Sequence, residues 1–298
     1  MERTPLWEEH QARGAKFVDF HGWQLPLQYT RIIEEHHHTR TKVSVFDCSH
    51  MAEFRIRGEE ALRRYDRLVI SDIAGIKVGR ARYGAILNPR GGIMDDVITI
   101  KLAEADLLVV SNAGPHDRLA QWILAHVPDS EDVSATTAKI DVQGPLARDV
   151  LVKTGFEPAG WLKYFGACRH NWNGTQVVVS RTGYTGELGF EIYLPNEAAA
   201  SLWRHLLALE GAAPAGLGAR DTLRLEMGYP LAGQDFDESR GPLEAGQESF
   251  IAWDTEFVGK EALVAQRQAG DYQVLRGMRT KDRRAPRPGF EVYAGDAA

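Results

Sequence analysis

Two adjacent carboxylates, Asp95 and Asp96, stand in the segment NPRGGIMDDVITI, just after a Gly91-Gly92 turn and ahead of an alternating apolar run that reads as a β-strand. Successive strand side chains point to opposite faces, so one Asp can face a pocket while the other faces water or caps the turn. A carboxylate fixed at a strand entrance is a candidate for chemistry. Taken alone, Asp-Asp after Gly-Gly is ordinary turn composition, and the rest of the chain has to decide between the two readings.

Other blocks carry similar double meanings. In RTGYTGELGFE, Arg181 to Glu191, three glycines surround Tyr184 and the block closes on Glu191 as a strand begins. Glycine at that density lets a flat ligand approach the backbone, and a tyrosine can stack on it or hydrogen-bond to it. By itself the block equally describes a glycine-rich hairpin with a surface tyrosine. In GLGARDTLRLE, Gly216 to Glu226, Arg220 falls in the first turn of a helix and Arg224 one turn later on the same face. Two guanidiniums so spaced suit a carboxylate ligand, unless Asp221 and Glu226 neutralise them as helix salt bridges. The polar loop blocks LAGQDFDE and PLEAG, followed by FVGKEAL, complete the set.

Several function classes fall away. Ten histidines raise the question of a metal, above all in Glu34-Glu35-His36-His37-His38. Consecutive helical residues fan out around the axis and the HExxH spacing is absent, so a solvated helix face and no metal are expected. His21 in FHGW and His50 in SHM read as structural. Cys48 and Cys168 lack CxxC spacing and are expected as packed or inert free thiols. A net charge of -6 without a Lys/Arg cluster argues against nucleic acid and anionic membranes as partners. MERTPLWEEHQARGAKF has no apolar core and no apolar run is long enough to span a bilayer, so a cytoplasmic protein is expected.

The elements that must position these residues follow from periodicity. At 298 residues and 44% hydrophobic, the chain can bury a sizeable core in two or three domains. Helices are expected over Pro5 to Ala15, Thr30 to Thr41, Glu59 to Val69, Pro115 to His126, LARDVLVKTG after the Gln143-Gly144-Pro145 turn, Asn196 to Leu209, and ARDTLRLEMG. DFHGWQLPLQY is expected as loop and Met51 to Gly58 as strand. ARYGAIL, DDVITIKL and DLLVVSN read as three strands with short connections, hence an antiparallel meander. Another strand covers Phe190 to Leu194, and from Tyr272 one strand, a polar loop and the start of a further strand are expected. Strands followed by helix, twice, imply two similar α+β lobes rather than a doubly wound parallel sheet.

The blocks DFHGWQLPLQY, VFDCSHM, GGIMDD, QGP, GYTGELGFE, GLGARDTLRLE, GQDFDE, PLEAG and FVGKEAL, in this order, resemble over essentially the whole chain the T-protein family of the glycine cleavage system. These are tetrahydrofolate-dependent aminomethyltransferases. The resemblance implies an α+β, three-domain cloverleaf around a central folate channel, its third domain a C-terminal β-barrel. Residues 1–50 plus 137–230 would form a first, discontinuous folate-binding α+β domain, 51–136 a second α+β domain, and 240–298 the partial barrel. It implies an enzyme that accepts the aminomethyl group on the lipoyl arm of the H-protein, moves the methylene to tetrahydrofolate and releases ammonia. Tetrahydrofolate is then the co-substrate and lipoylated H-protein the partner.

Residue by residue, the resemblance makes Asp95 the essential acid beside the reactive folate nitrogens, with Asp96 its structural or solvent-side neighbour. It makes Glu191 the acid that hydrogen-bonds the pterin, Tyr83, Tyr164 and Tyr184 folate-contacting tyrosines, and Arg220 a channel arginine. The chemistry is compatible: a carboxylate accepts two parallel bonds from the guanidine-like pterin edge, and one fixed at Asp95 would stabilise a developing cation and could relay its proton.

Two features depart from the family pattern. Where relatives place Asn after the Val-Val pair stands Ser111, and a one-residue offset in a strand would turn Asn112 to the other face. Folate-dependent O- or S-demethylases on the same fold are therefore the alternative. The sequence also stops soon after Pro286 to Val292, where relatives continue, so the expected barrel is truncated, with open strand edges and low stability or association. A non-catalytic folate-binding branch that assists iron-sulfur maturation carries KGCYxGQE. The corresponding ESRGPLEAGQES has no cysteine, which sets that branch aside.

Overall fold

The first expected loop is a hairpin. After helix α1 (Trp7–Ala12), strands β1 (Lys16–Phe20) and β2 (Trp23–Gln28) pair antiparallel. Their connection, His21-Gly22, takes φ of 52° and 85°, the doubly positive turn whose twist matches that of the strands. The computed structural model describes residues 1–114, 116–280, 289–291 and 293.

The chain continues through α2 (Ile32–Thr41), β3 (Val43–Asp47), β4 (Ala52–Arg57), α3 (Glu59–Asp66), β5 (Arg80–Leu87), β6 (Ile93–Ala103), β7 (Asp106–Ser111), α4 (His116–His126) and β8 (Ser130–Asp132). There follow β9 (Thr137–Gln143), α5 (Ala147–Lys153), β10 (Ala167–Trp172), β11 (Thr175–Ser180), β12 (Gly189–Pro195), α6 (Asn196–Leu207), β13 (Ala212–Pro214), α7 (Leu217–Glu226) and α8 (Lys260–Ala269). One sheet has the order β5-β6-β7-β4-β8 and is antiparallel throughout, with the expected meander at its heart. The other, β10-β11-β12-β9-β3-β13, draws β3 from before the first sheet and its remaining strands from after it. β13 joins it parallel to β3.

Each sheet has its own core. Trp203, Phe156 and Phe190 anchor one; Phe54, Tyr65 and Leu119 anchor the other, all essentially inaccessible to solvent. Burial of each such side chain contributes roughly 1.5–3 kcal/mol. A third cluster joins the sheets, with Ile100, Leu108 and Val110 packing on Ala167 and Tyr193. Backbone bonds from Ala81 to Phe165 and from Ala167 to Gly79, both 2.8 Å, fix that junction.

The C-terminal part departs from the expected strands. Among the described residues none forms a strand beyond Pro214, so no closed barrel is present. Leu243, Ile251, Phe257 and Leu263 instead pack on Ile70, Leu87 and Ile93 of the meander sheet. The strand expected from Tyr272 does not form over 272–280, because no neighbouring strand is there to pair with it; Leu275 N–H donates to the Glu244 carbonyl at 2.8 Å. The further strand expected near Pro286 to Val292 lies largely outside the described residues. No helix among those described is long and apolar enough to cross a membrane.

Candidate active site

A cavity of about 2000 Å³ is walled by both sheets, the β1–β2 hairpin, α7 and the loops between 227 and 250. It exceeds the usual few hundred to 1,000 Å³ of a single small-molecule pocket.

The carboxylate pair lies on the meander sheet, in the reverse of the expected arrangement. Asp96 stands on the cavity wall, whereas Asp95 is wholly buried behind it. Ile86 pairs with Asp95 and Leu87 with Ile93, so Met94 is an extra residue in the ladder. This bulge resets the faces ahead of the pair. Asn112 then ties the two acids together: its Nδ2 donates to Asp95 Oδ1 at 2.8 Å and to Asp96 Oδ1 at 2.6 Å, and its backbone N–H donates to Asp95 Oδ2 at 2.8 Å.

The expectation for Ser111 and Asn112 is likewise reversed. β7 ends at Ser111, so strict alternation no longer governs the next residue; Asn112 reaches the cavity while Ser111 Oγ is buried without a partner. Burial, then the Asp96 charge, pushes the Asp95 carboxyl well above the usual carboxylate range. Burial also raises Asp96, but hydrogen bonds from Tyr83 and Asn112 pull it back. Asp95 is therefore the member that keeps a proton first, leaving Asp96 as the carboxylate facing the cavity.

Glu191 projects into the same cavity from β12. Lys139 Nζ donates to its Oε1 at 2.7 Å; Thr182 at 2.5 Å and Tyr193 at 3.0 Å donate to its Oε2. Lys139 also donates to Asp141 Oδ1 at 2.6 Å, and Arg220 Nη1 to Asp141 Oδ2 at 2.9 Å, so the charges alternate from Arg220 to Glu191. Burial opposes the Lys139 charge, yet Asp141 and Glu191 outweigh it and raise the ammonium above its ordinary range. Lys139 and Asp141 were missed in the sequence. Their signal was the pattern TAKIDVQ, two charges two residues apart on one face of an otherwise apolar strand.

The two arginines separate. Arg220 lines the cavity, its guanidinium 5.1 Å from the Tyr184 ring centroid. Arg224 also borders the cavity but is held by two acids, Asp221 at 2.8 Å and Asp235 at 2.6 Å. Among the described residues Asp221 pairs with Arg224, and Glu226 with Arg40 at 2.6 Å and His36 at 3.3 Å. Tyr184 donates to the Pro230 carbonyl at 2.6 Å and stacks on Tyr229, which leaves its ring as the feature offered to a ligand. Tyr83 sits edge-on to Phe250, while Tyr164 is 64% exposed at the rim.

His50, expected as a satisfied histidine, lines the cavity with Nδ1 buried and unpartnered; burial lowers it to about 3, so it is neutral. The expected solvated face of α2 is also corrected. His36 is buried against Thr222 at 2.9 Å, and Glu35 accepts from the backbone N–H groups of Tyr29, Thr30 and Gly216. Cys48 is a buried thiol pushed up to about 12 by burial, and Cys168 is half-buried. Among the described residues no group of three or more His, Cys, Asp or Glu is placed to hold a metal ion.

Comparison with known proteins adds three findings. The family model for the GCVT N-terminal domain matches residues 6–255. Proteins named aminomethyltransferase from Halalkalibacterium halodurans and Moorella thermoacetica are each 41% identical, over 98% and 99% of this chain and 82% of their own length. The crystal structure of glycine cleavage system aminomethyltransferase T from Bartonella henselae aligns with a TM-score of 0.85 at 33% identity, covering 90% of this chain and 75% of that one.

Proposed function

This chain belongs to the GCVT family, and on that premise we propose that it is a cytoplasmic aminomethyltransferase of the glycine cleavage system. It takes the methylene of an aminomethyl-lipoyl H-protein to tetrahydrofolate and releases ammonia. The observation that carries this reading is a carboxylate pair bridged by Asn112 on one wall of a cavity whose other wall presents Glu191, Tyr184 and Arg220. Residues 1–50 plus 137–230, 51–136 and 240 onward are read as three domains around that cavity.

The donor set fits a reduced pterin. Glu191 accepts three hydrogen bonds from the protein, and a carboxylate has about four acceptor sites, so capacity remains for a ligand N–H. The Lys139 ammonium keeps that carboxylate oriented, while the Tyr184 ring and Arg220 offer a surface for a flat heterocycle. Tetrahydrofolate supplies the amine that takes up the methylene. Asp96 presents negative charge to the cavity where positive charge develops as ammonia leaves, and Asp95 behind it can retain a proton while Asn112 donates to both carboxyls. Because Asn112 itself reaches the pair, the Ser111 substitution gives no reason to prefer a demethylase.

The test is ammonia release. The purified chain, given aminomethyl-lipoyl H-protein and tetrahydrofolate, should release ammonia well above H-protein with folate alone. Inertness with that donor, together with turnover of a methyl ether or sulfonium donor, would assign it to the demethylases.

A further inference from the structure

Gln247 directly follows the PLEAG block and is 2% exposed, with its side chain on the cavity wall. Its Nε2 donates to the Tyr83 hydroxyl at 2.9 Å, whereas its Oε1 is buried with no hydrogen-bond partner. A buried amide with half its capacity unpaired is unfavourable, and an apolar side chain of the same shape would fill the space at lower cost. Stability therefore does not explain the amide. What it holds is the Tyr83 hydroxyl, which has a single proton to give. With Gln247 donating to that oxygen, the proton is left for Asp96, which stands diagonally opposite Tyr83 on the same face of the β5–β6 ladder and whose carboxyl the hydroxyl draws down. Asn112 grips the same carboxylate at 2.6 Å.

We propose that Gln247 is a positioning residue for the transfer reaction: by donating to Tyr83 it fixes the direction of the phenolic proton, so that Tyr83 holds Asp96 ionised and aimed into the cavity. The proposal rests on the aminomethyltransferase reading and deepens it. Among the described residues Gln247 makes no hydrogen bond to Asp96, and it acts through Tyr83. The charged or titratable groups around Asp96 are Asp95 on its own strand, Tyr83 on β5, Tyr184 ahead of β12, and Arg220 and Arg224 on α7 across the cavity. The first three sit close enough to interact with it electrostatically, and only Tyr83 is under the control of Gln247.

The experiment compares wild type, Gln247→Met, Gln247→Glu, Tyr83→Phe and the double variant Tyr83→Phe/Gln247→Met. Methionine keeps the volume and removes both polar atoms, so Gln247→Met should melt at or above the wild-type temperature. Its kcat should nonetheless fall roughly 3- to 10-fold with KM little changed, the scale of one neutral hydrogen bond. The acid limb of its pH profile should move up by about 0.5–1 unit as Asp96 loses a polarised donor. Gln247→Glu, whose ionised carboxylate draws the phenolic proton away from Asp96, should lose more. In the Tyr83→Phe background, Gln247→Met should add nothing.

Unchanged kcat and acid limb in Gln247→Met, or losses that simply multiply in the double variant, would overturn the proposal. Carboxyl 13C NMR of labelled aspartate supplies a readout independent of turnover: the Asp96 titration midpoint should rise in Gln247→Met, and an unmoved midpoint would also overturn it. Inertness of the wild-type enzyme would count against the activity, whereas a silent Gln247→Met in an active enzyme counts against this role alone.

Discussion

Asp95 and Asp96 are chemically identical and separated by their surroundings. Asp96 faces the cavity and receives Tyr83 and Asn112; Asp95 is sealed behind it and held up by burial and by its neighbour's charge. Asp96→Asn should therefore reduce kcat by about 10²–10³, the scale of removing a preorganised electrostatic group. Asp95→Asn replaces a proton-retaining acid by a neutral isostere and should cost nearer tenfold, on the scale of one lost hydrogen bond; single-turnover kinetics with folate affinity measured separately distinguishes the two. That one of the pair would meet a pocket was legible from strand alternation. Which one was not, because the bulge at Met94 resets the faces and nothing in GGIMDD announces it. Glu53 is another buried acid, with both carboxyl oxygens unpartnered and its titration pushed well above the usual range by burial. A raised folded value means that the stability tied to its proton is complete below the unfolded value and is lost as pH rises through the folded one. Glu53→Gln should thus raise the melting temperature more at pH 8 than at pH 4, and an equal change at both pH values would contradict this.

β9 shows how one strand organises the interior. Its inward row of Lys139, Asp141 and Gln143 is completely buried, and Gly144 then turns the chain towards α5. Gly144 has φ of 137°, and a Cβ there would lie 2.2 Å from the Lys42 carbonyl oxygen and 2.8 Å from that of Thr39. Both obstacles are backbone. Gly144→Ala should accordingly destabilise by about 3 kcal/mol or more, a melting shift of roughly 6–12 °C for a chain of this size. Gly22→Ala, at φ of 85° with nothing within 4 Å of the new atom, should cost only about 1 kcal/mol. A calorimetric scan of both variants separates close approach from conformational strain. At this scale the sequence was informative wherever periodicity was clean, as in β5, β6 and β7 and in most of the helices. It failed at β3, where VSVFD is buried at all five positions and shows no polar-out alternation. It failed also at 272–280, where apolar residues of strand type have no partner to complete a ladder.

The two sheets meet through a small apolar junction and otherwise face each other across the cavity, Glu191 on one and Asp96 with Tyr83 on the other. A ligand that engages both walls stabilises the native state by mass action, about 2.7 kcal/mol at 100 times its dissociation constant. Tetrahydrofolate should therefore raise the melting temperature, and Glu191→Gln should remove most of that rise; equal shifts in both proteins would dissociate Glu191 from ligand binding. The sequence signalled two α+β lobes by the order of their elements, but the threading of one sheet through the other arises from β3 pairing far along the chain. In the β3–β9 register Ser44 pairs with Gln143, 99 positions further on. During synthesis at ~5–20 residues per second, β3 thus leaves the ribosome on the order of 10 s before β9 exists to cover it. The meander sheet, encoded wholly within that interval, can close first, so a ribosome that slows between the two strands would prolong the time β3 spends as a naked edge open to the wrong neighbour.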